Sequence, residues 1–244
     1  MATDDSEGQP QLDPLPEDWD RALAIVAHPD DMEYGAAAAV ARWTAAEKSV
    51  AYVLVTRGEA GISTLAPEQC APLRAEEQRR SCAAVGVTEL SFLDHPDGLV
   101  GAGLELRADL AGAIRAHRPE VIVSINYRDT WGMPGWNHAD HRHVGVALLD
   151  AVRDAANRWV FRELCDAGLD PWGGVRHLAV IASPQPTHAV DVTETFDLGV
   201  ESLRCHAAYL AALGDTDPEA MLRPWSEAAG RRFGGRLAVT FELL

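Results

Sequence analysis

Residues 23–31 read Leu23-Ala24-Ile25-Val26-Ala27-His28-Pro29-Asp30-Asp31, an apolar run that stops at a polar turn. The apolar part is too short for a helix, so it predicts a buried strand. The alanine-rich stretch from Glu33 to Ala46 follows the turn and predicts a helix. The domain therefore begins with a strand, a loop that carries ionisable residues, and a helix.

The same alternation of apolar strands and helices recurs along the chain. Further strands are predicted at Val50 to Val55, Leu90 to Leu93, Val121 to Ile125, Val175 to Ala182, Ala189 to Val192 and Leu237 to Phe241. Further helices are predicted at Pro72 to Val85, Leu104 to His117, Ala139 to Ala156 and Glu194 to Leu213. Strands that alternate with helices form parallel sheets through right-handed crossovers. The predicted fold class is thus α/β: a Rossmann-like, doubly wound, mainly parallel sheet with helices on both faces.

Composition predicts one folded domain behind a short arm. Residues 1–20 are polar, acidic and proline-containing, with no periodic apolar pattern, and predict a flexible N-terminal arm. Residues 21–244 are long enough to bury a single large core. Hydrophobic residues make up 47% of the chain and charged residues 24%, which is typical of a globular protein.

Charge and cysteine usage exclude several classes of function. The net charge of −16 argues against nucleic acid or an anionic membrane as a partner, because both would repel the chain. A small-molecule partner is expected instead, and a homo-oligomer is left open. The four cysteines lie far apart without a CxxC pair, so neither a disulfide framework nor a cysteine zinc site is predicted. The acidic N-terminus lacks the features of a secretory signal, which predicts a cytoplasmic location.

Two polar clusters follow two of the predicted strands. One is residues 27–31, directly after the first strand, and the other is Asn137-His138-Ala139-Asp140-His141, which opens a helix after the strand ending at Ile125. Ligands of open parallel sheets collect at the carboxyl ends of the strands. Since the first and fourth strands of a doubly wound sheet can be neighbours, the two clusters are expected to meet although about 110 residues separate them.

The two clusters contain the ligands of a catalytic metal. A catalytic zinc ion takes three protein ligands from His, Asp or Glu and leaves a position open for water. His28, Asp31 and His141 supply such a set. Zn²⁺ is the default ion for these ligands, and Fe²⁺ or another divalent ion fits them nearly as well.

The remaining residues of the clusters suit the hydrolysis of an amide. Asp30 is the spare carboxylate that can accept a proton from water. His138 can stabilise the oxyanion or protonate the leaving amine, and Asp140 can hold and tune His138. The plain alternative is that the first cluster is a turn with an Asp cap and that Asp140 is a first-turn acid of its helix. Two such clusters at two strand ends favour the catalytic interpretation.

At these residues the chain resembles the LmbE-like or PIG-L family of zinc-dependent N-deacetylases. Ala-His-Pro-Asp-Asp after the first strand and His-x-Asp-His at the start of a later helix carry the resemblance, which runs from about Ala22 to Tyr209. It implies His28, Asp31 and His141 as metal ligands, Asp30 as general base and His138 as transition-state stabiliser.

Other segments also resemble this family. Residues 56–61, Thr-Arg-Gly-Glu-Ala-Gly, are similar to its second-strand loop, Arg74 and Glu77 to its Arg-x-x-Glu helix, and Asp97-Gly98 to its Pro-Asp-Gly loop. The resemblance implies that Glu59, Arg74 and Asp97 face the substrate. The alternative for Arg74 and Glu77 is an ordinary ion pair on the helix surface.

The chain departs from the family pattern at three places. Ala37-Ala38-Ala39 replaces Gly-Gly-Thr, which affects packing more than chemistry. Ala139 stands where proline is usual, which bears on how the helix starts. Ala207-Ala208 replaces the usual Ser-Gln, which puts a substrate role for that end of the chain in doubt.

The segment between the fourth strand and the second cluster contains two tryptophans, Trp131 and Trp136, among glycine and proline. They form either a mobile wall for an apolar or sugar face of the substrate or the core anchors of a long loop. For His188 and Asp191 a structural role is expected, and the alternative is that they support the residues of the site from behind.

The sequence therefore predicts a metal-dependent hydrolase that removes an N-acetyl group from a small metabolite, such as an amino sugar or a glycoconjugate. One alternative keeps the same metal site but cleaves a larger amide, such as a thiol conjugate. A third alternative is a catalytically silent metal-binding protein, which the presence of both Asp30 and His138 disfavours.

Overall fold

The computed structural model describes residues 10–214 and 216–244. Over these residues the strands are β1 (Asp13–Pro14), β2 (Arg21–Val26), β3 (Ser49–Leu54), β4 (Glu89–Phe92), β5 (Val121–Ile125), β6 (His177–Ile181), β7 (His188–Asp191) and β8 (Ala238–Leu243). The helices are α1 (Ala37–Ala45), α2 (Pro67–Ala84), α3 (Leu104–His117), α4 (Ala139–Ala155), α5 (Arg162–Asp166), α6 (Phe196–Arg204), α7 (Ala207–Ala212) and α8 (Pro218–Arg231).

All of these strands belong to one sheet with the order β1-β7-β8-β6-β5-β2-β3-β4. Neighbours from β6 to β4 pair in parallel, whereas β8 is antiparallel to both β6 and β7. The mainly parallel α/β sheet predicted from the sequence is confirmed. The antiparallel β8 is an addition that the alternation of strands and helices did not indicate.

The chain reverses its direction of winding between β2 and β5. From β2 it moves outward to β3 and β4, and then returns to place β5 on the other side of β2. Crevices of open α/β sheets form at such switch points, outside the carboxyl ends of the strands. The loops after β2 and β5, which carry the two polar clusters, therefore open into the same crevice.

Apolar layers cover both faces of the sheet. Alternate residues of a strand point to opposite faces, so Ala24 and Val26 enter one core and Leu23 and Ile25 the other. The alanines of α1 pack in the first core, and α3 and α4 supply the second. Burial on both faces explains why β2 and β5 are continuous apolar runs without polar alternation.

Element boundaries agree with the sequence prediction at the centre of the sheet and differ towards the periphery. Helix α3 and strand β5 have the predicted bounds, whereas α2 begins five residues early, with Pro67 in its first turn, where a missing N–H costs nothing. The single helix predicted from Glu194 to Leu213 is two helices, α6 and α7, interrupted at His206. The sequence reading missed α5 and α8.

Residues 12–19 differ from the flexible arm predicted for residues 1–20. Leu12, Leu15 and Trp19 are buried, and β1 pairs with β7. The three residues have the i, i+3, i+7 spacing of a helix face, but Pro14 and Pro16 interrupt the segment, so no helix or strand was predicted there. The first nine residues of the predicted arm lie outside the described part of the chain.

None of the helices in the two described ranges is both long enough and apolar enough to cross a membrane.

Replacement of Trp19 tests whether this segment belongs to the folded domain. Trp19 is 2% exposed, stacks edge-on against Trp43 with ring centroids 5.2 Å apart, and donates a hydrogen bond to the Pro16 carbonyl. Trp19→Ala is expected to lower the free energy of unfolding by about 3–5 kcal/mol, because it leaves a large cavity. Urea unfolding followed by circular dichroism measures the change. The control Trp159→Ala removes a tryptophan that is 72% exposed and should change stability by no more than about 0.5 kcal/mol.

Candidate active site

His28, Asp31 and His141 meet at the switch point of the sheet. The Asp31 carboxylate lies 2.9 Å from His141 Nε2, and His28 Nδ1 lies 3.1 Å from the same nitrogen. The donor atoms of the three residues all lie within 4.8 Å of one another, which makes them a candidate metal-binding group. The structure thus brings the three predicted ligands together.

Hydrogen bonds fix the orientation of the His28 ring. Its Nε2 lies 3.1 Å from an oxygen of Asp140 and 3.1 Å from an oxygen of Asp97. Because carboxylates only accept hydrogen bonds, Nε2 carries the ring proton and Nδ1 is left with a lone pair that faces His141. Burial acts to lower the pKa of His28, but hydrogen bonds to Asp140, Asp31 and Asp97 raise it well above its ordinary value. This place in the fold favours a positive charge, whether a second proton or a metal ion.

Asn137 fixes the His141 ring in the same way. The Asn137 side-chain nitrogen donates to the carbonyls of Asn126 and Arg128, so its Oδ1 faces His141 Nδ1 at 2.9 Å and accepts the ring proton. The Nε2 lone pair of His141 then points at His28 Nδ1 and Asp31. Three acceptor atoms that face one another suit a divalent cation, so the residues present fit a metal of the zinc type.

Asp30 lies next to this group in a constrained conformation. Its φ angle is +83°, in a region that costs most residues about 1–3 kcal/mol. Its backbone N–H donates to the Gln78 side chain, and its carboxylate lies 3.2 Å from the Arg74 guanidinium. Burial, partly offset by Arg74, and the adjacent Asp31 raise the pKa of Asp30 to about 7. A base that titrates near neutral pH is well matched to accepting a proton from water.

A buried polar network supports Asp30 from behind. Gln78 also donates to Glu33 at 2.8 Å, and Ser81 donates to the same Glu33 oxygen at 2.5 Å. His206 is fully buried 3.8 Å from the other Glu33 oxygen. Burial acts to raise the pKa of Glu33, but His206, Ser81 and Gln78 hold it below its usual value. The sequence reading assigned no role to these residues, because their spacing in the chain follows no metal or catalytic pattern.

His138 stands at the exposed rim of the site, at the start of α4. It is the N-cap of this helix, and its Nδ1 accepts the backbone N–H of Asp140 at 3.2 Å. In the neutral ring the proton is therefore on Nε2, which makes that atom a hydrogen-bond donor. Partial burial and the neighbouring His28 lower the pKa of His138, which favours the neutral ring. The alanine at position 139 starts the helix normally in place of the usual proline.

Asp140 has a different partner from the one predicted. Its carboxylate accepts hydrogen bonds from His28 and from the backbone N–H groups of Gly98 and Val100. Within the described residues no side-chain hydrogen bond joins it to His138. The reason is geometric: a residue two positions into the helix points at the crevice, where His28 and the loop after β4 lie. Asp140 therefore orients a predicted metal ligand, and it does not orient His138 through its carboxylate.

The three predicted substrate residues lie in different surroundings. Asp97 and Arg74 line the cavity next to the site. The Glu59 carboxylate instead accepts the N–H groups of Arg57 and Asp97, and Glu59 is not among the described residues that line the cavity. It braces the loop after β3 against the loop after β4, a contact that the motif alone did not reveal.

Arg74 and Glu77 do not form the surface ion pair that was the alternative. Both are buried, at 2% and 3% exposure. Arg74 donates to the Pro29 carbonyl and stacks on the Tyr209 ring, 3.7 Å from its centroid, while Glu77 accepts the N–H of Ala208. Tyr209 was not singled out in the sequence, yet it lines the cavity beside Asp30.

The two tryptophans of the long loop have different roles. Trp131 lines the cavity and stacks edge-on against His141 with centroids 5.6 Å apart, whereas Trp136 is 82% exposed. Only one of the pair therefore borders the site. His188 and Asp191 lie away from it: His188 contacts Thr187, and Asp191 pairs with Arg236 at 3.0 Å.

A cavity of about 690 Å³ opens over the metal-binding group. This volume is in the range of pockets that hold drug-sized ligands. The residues at its polar end include His28, Asp30, Asp31, Glu33, Tyr34, Arg74, Asp97, His138, His141 and Tyr209. The chain is thus an α/β protein with a histidine and aspartate candidate metal-binding group at the floor of a large crevice.

The chain belongs to the PIG-L family: the model of the GlcNAc-PI de-N-acetylases matches residues 23–152. This confirms the resemblance inferred from the two clusters. The chain is 29% identical over 191 residues to the diacetylchitobiose deacetylase of Thermococcus kodakarensis, covering 78% of this chain and 70% of that protein. It is 27% identical to the 1D-myo-inositol 2-acetamido-2-deoxy-alpha-D-glucopyranoside deacetylase of Actinosynnema mirum, with coverages of 80% and 82%.

The fold is also that of a solved relative. The N,N'-diacetylchitobiose deacetylase of Pyrococcus horikoshii superposes with a TM-score of 0.82 at 24% identity, over 93% of this chain and 85% of the other. This likeness supports the architecture described above.

Replacement of Asn137 tests whether this side chain orients the His141 ring. Asn137→Ala removes the acceptor of the His141 ring proton, so His141 should lose its fixed orientation. Loss of such a partner typically lowers metal affinity about 10–100-fold. Competition with a chromogenic chelator measures the affinity. Asn157→Ala, which removes an asparagine at the other end of α4, is the control and should leave the affinity unchanged. Unchanged affinity in both variants would contradict the orienting role.

Proposed function

We propose that this protein is a metal-dependent N-deacetylase that hydrolyses the acetamide of an amino sugar or a related glycoconjugate. The observation that carries the proposal is the convergence of His28, Asp31 and His141, with their lone pairs facing one another, beside the buried Asp30. The family membership and the named relatives, which are sugar deacetylases, support the same reaction.

His28, Asp31 and His141 would hold the ion, which we propose is Zn²⁺, with Fe²⁺ as the second choice. When bound, such an ion lowers the pKa of a water molecule and polarises an amide carbonyl. Asp97, Asp140 and Asn137 keep the two imidazole rings oriented for binding, through the hydrogen bonds described above. The ligand assignment is supported by this shared geometry.

Asp30 acts as the general base in the proposed reaction. It is buried at the cavity wall, and its backbone is held by Gln78 and its carboxylate by Arg74. The carboxylate accepts a proton from the attacking water as the C–O bond forms. The same proton then reaches the amide nitrogen as the C–N bond breaks, so that acetate and the free amine are released.

His138 stabilises the charge that develops on the carbonyl oxygen. With Nδ1 occupied by the Asp140 N–H, the ring can offer a hydrogen bond from Nε2. The sequence left two roles open for His138: stabilisation of the oxyanion and protonation of the leaving amine. The tautomer favours the first role, because a neutral imidazole donates a hydrogen bond more readily than it gives up its proton.

A panel of acetylated compounds tests the proposed reaction. The zinc-loaded protein should release acetate and free amine in equal amounts from at least one N-acetylated amino sugar, measured by an acetate assay and amine labelling. Asp30→Asn should keep the metal and lose most of the turnover, since an amide cannot take the proton from water. Release of neither product from any sugar, conjugate or N-acyl amine would favour the silent metal-binding protein, and cleavage of thiol conjugates alone would favour the larger-amide alternative.

Paired variants at His138 and His141 test the two roles assigned at the start of α4. His141→Ala, like His28→Ala and Asp31→Ala, should lose bound metal, as measured by atomic emission. His138→Ala should keep the metal and reduce kcat about a hundredfold to a thousandfold with a smaller change in KM, because its hydrogen bond forms in the transition state. Metal lost only from His138→Ala would reverse the assignment, and unchanged turnover would remove His138 from the mechanism.

A further inference from the structure

The cavity over the metal-binding group has a second part of different character. Helices α6 and α8 and strand β8 form its wall there, and we call this part the apolar chamber. Its lining includes Phe196, Leu222, Trp225, Ala229, Ala238 and Val239. The chamber is continuous with the polar end of the same cavity, so one ligand can occupy both parts.

The chamber has little to offer a sugar. None of the described residues that α6, α8 and β8 contribute to this wall is ionisable, and their only side-chain hydroxyls are those of Ser226 and Thr240. A hydroxyl group that is buried without a hydrogen-bond partner costs about 1–3 kcal/mol. The polar side chains that can bind hydroxyl groups are concentrated at the other end, beside His28 and Arg74. The chamber therefore disfavours a second sugar ring.

The wall of the chamber is held in place by a core. Phe196 and Leu222 are 3% and 9% exposed and belong to the apolar cluster between α6, α7 and α8. Helix α1 packs closely on α6, because a side-chain carbon at Gly199 would lie 2.8 Å from Ala38. The space is thus bordered by packed elements and not by loose side chains that would collapse into it.

We infer that the substrate carries, besides the amide, an apolar group of alkyl or aryl type that lies in the apolar chamber. This inference rests on the proposed function and narrows it: an acetamide fills only a small part of a cavity of about 690 Å³. The apolar group is attached either on the acyl side of the amide or on the amine side. Either attachment places an apolar group in the chamber.

Two series of N-acylglucosamines distinguish the two sides. One lengthens the N-acyl chain from acetyl to octanoyl, and the other keeps N-acetyl and lengthens an alkyl glycoside from methyl to octyl. The measured quantities are kcat/KM for amine release by the zinc-loaded protein and Kd for the zinc-loaded Asp30→Asn variant by calorimetry. In one series, Kd should fall about fourfold for each methylene group that enters the chamber. From the shortest to the longest member of that series, Kd should decrease at least about tenfold.

Trp225 provides the variant for this experiment. It lines the chamber and is 56% exposed, so the fold tolerates its replacement. Trp225→Glu should reduce the ratio of affinities for the longest and shortest members at least about threefold, since it places a charge beside the chain. Trp159→Ala, an exposed tryptophan remote from the cavity, should leave that ratio unchanged.

The outcomes separate this inference from the proposed function. Kd values that fall with chain length in one series, together with a smaller ratio in Trp225→Glu, support the chamber even if no amine is released, in which case only the proposed reaction fails. Kd and kcat/KM values that stay flat or worsen with length in both series overturn the inference, whether or not the acetyl compounds are hydrolysed. A length dependence that Trp225→Glu leaves intact also overturns it, because the chain then lies elsewhere.

Discussion

The parallel pairing of β2 with β5 is the constraint on which the rest of the site depends. Ala22, Leu23 and Ala24 pair with Val121, Ile122 and Val123, and this register places the ends of both strands at the same edge of the sheet. Residues that are more than a hundred positions apart in the chain thereby come within hydrogen-bond distance. Both strands are buried on both faces, so a shift in register would expose apolar side chains and is strongly disfavoured.

The orientation of the His28 and His141 rings is held mainly by the hydrogen-bond acceptors around them. Asp97 and Asp140 accept hydrogen bonds from the His28 ring, and Asn137 accepts one from the His141 ring. Asp97 and Asp140 are also bonded to the backbone of a neighbouring loop, and Asn137 to the backbone of its own loop. The loops after β3, β4 and β5 are therefore tied to each other through the same groups that orient His28 and His141. Such an arrangement preorganises the two rings for the proposed ion, because protein groups already hold their orientation.

The sequence predicted the parts of this structure that have a local signature. The apolar runs of β2 and β5, the polar residues that follow them and the family resemblance were enough to place His28, Asp31 and His141 together. The partners of Asp140 and Glu59 were not predictable in this way, because they depend on where the loop after β4 packs, and no periodic pattern encodes that position. Asn137 offered only a weak signal, as an amide directly before His138. Helix α8 was missed because proline occupies both its first turn and its interior, which reads as a break in a helix.

The matched family model ends at residue 152, whereas α6, α8 and β8 come later in the chain. The residues with proposed chemical roles, His28, Asp30, Asp31, His138 and His141, all lie in the first part, and the wall of the apolar chamber lies in the second. The proposed reaction and the apolar part of the cavity are therefore assigned to successive stretches of one polypeptide. Substitutions in the part of α6, α8 and β8 that lines the chamber replace none of the residues with a proposed chemical role. The architecture allows related proteins to change the substrate they accept while they keep the same reaction.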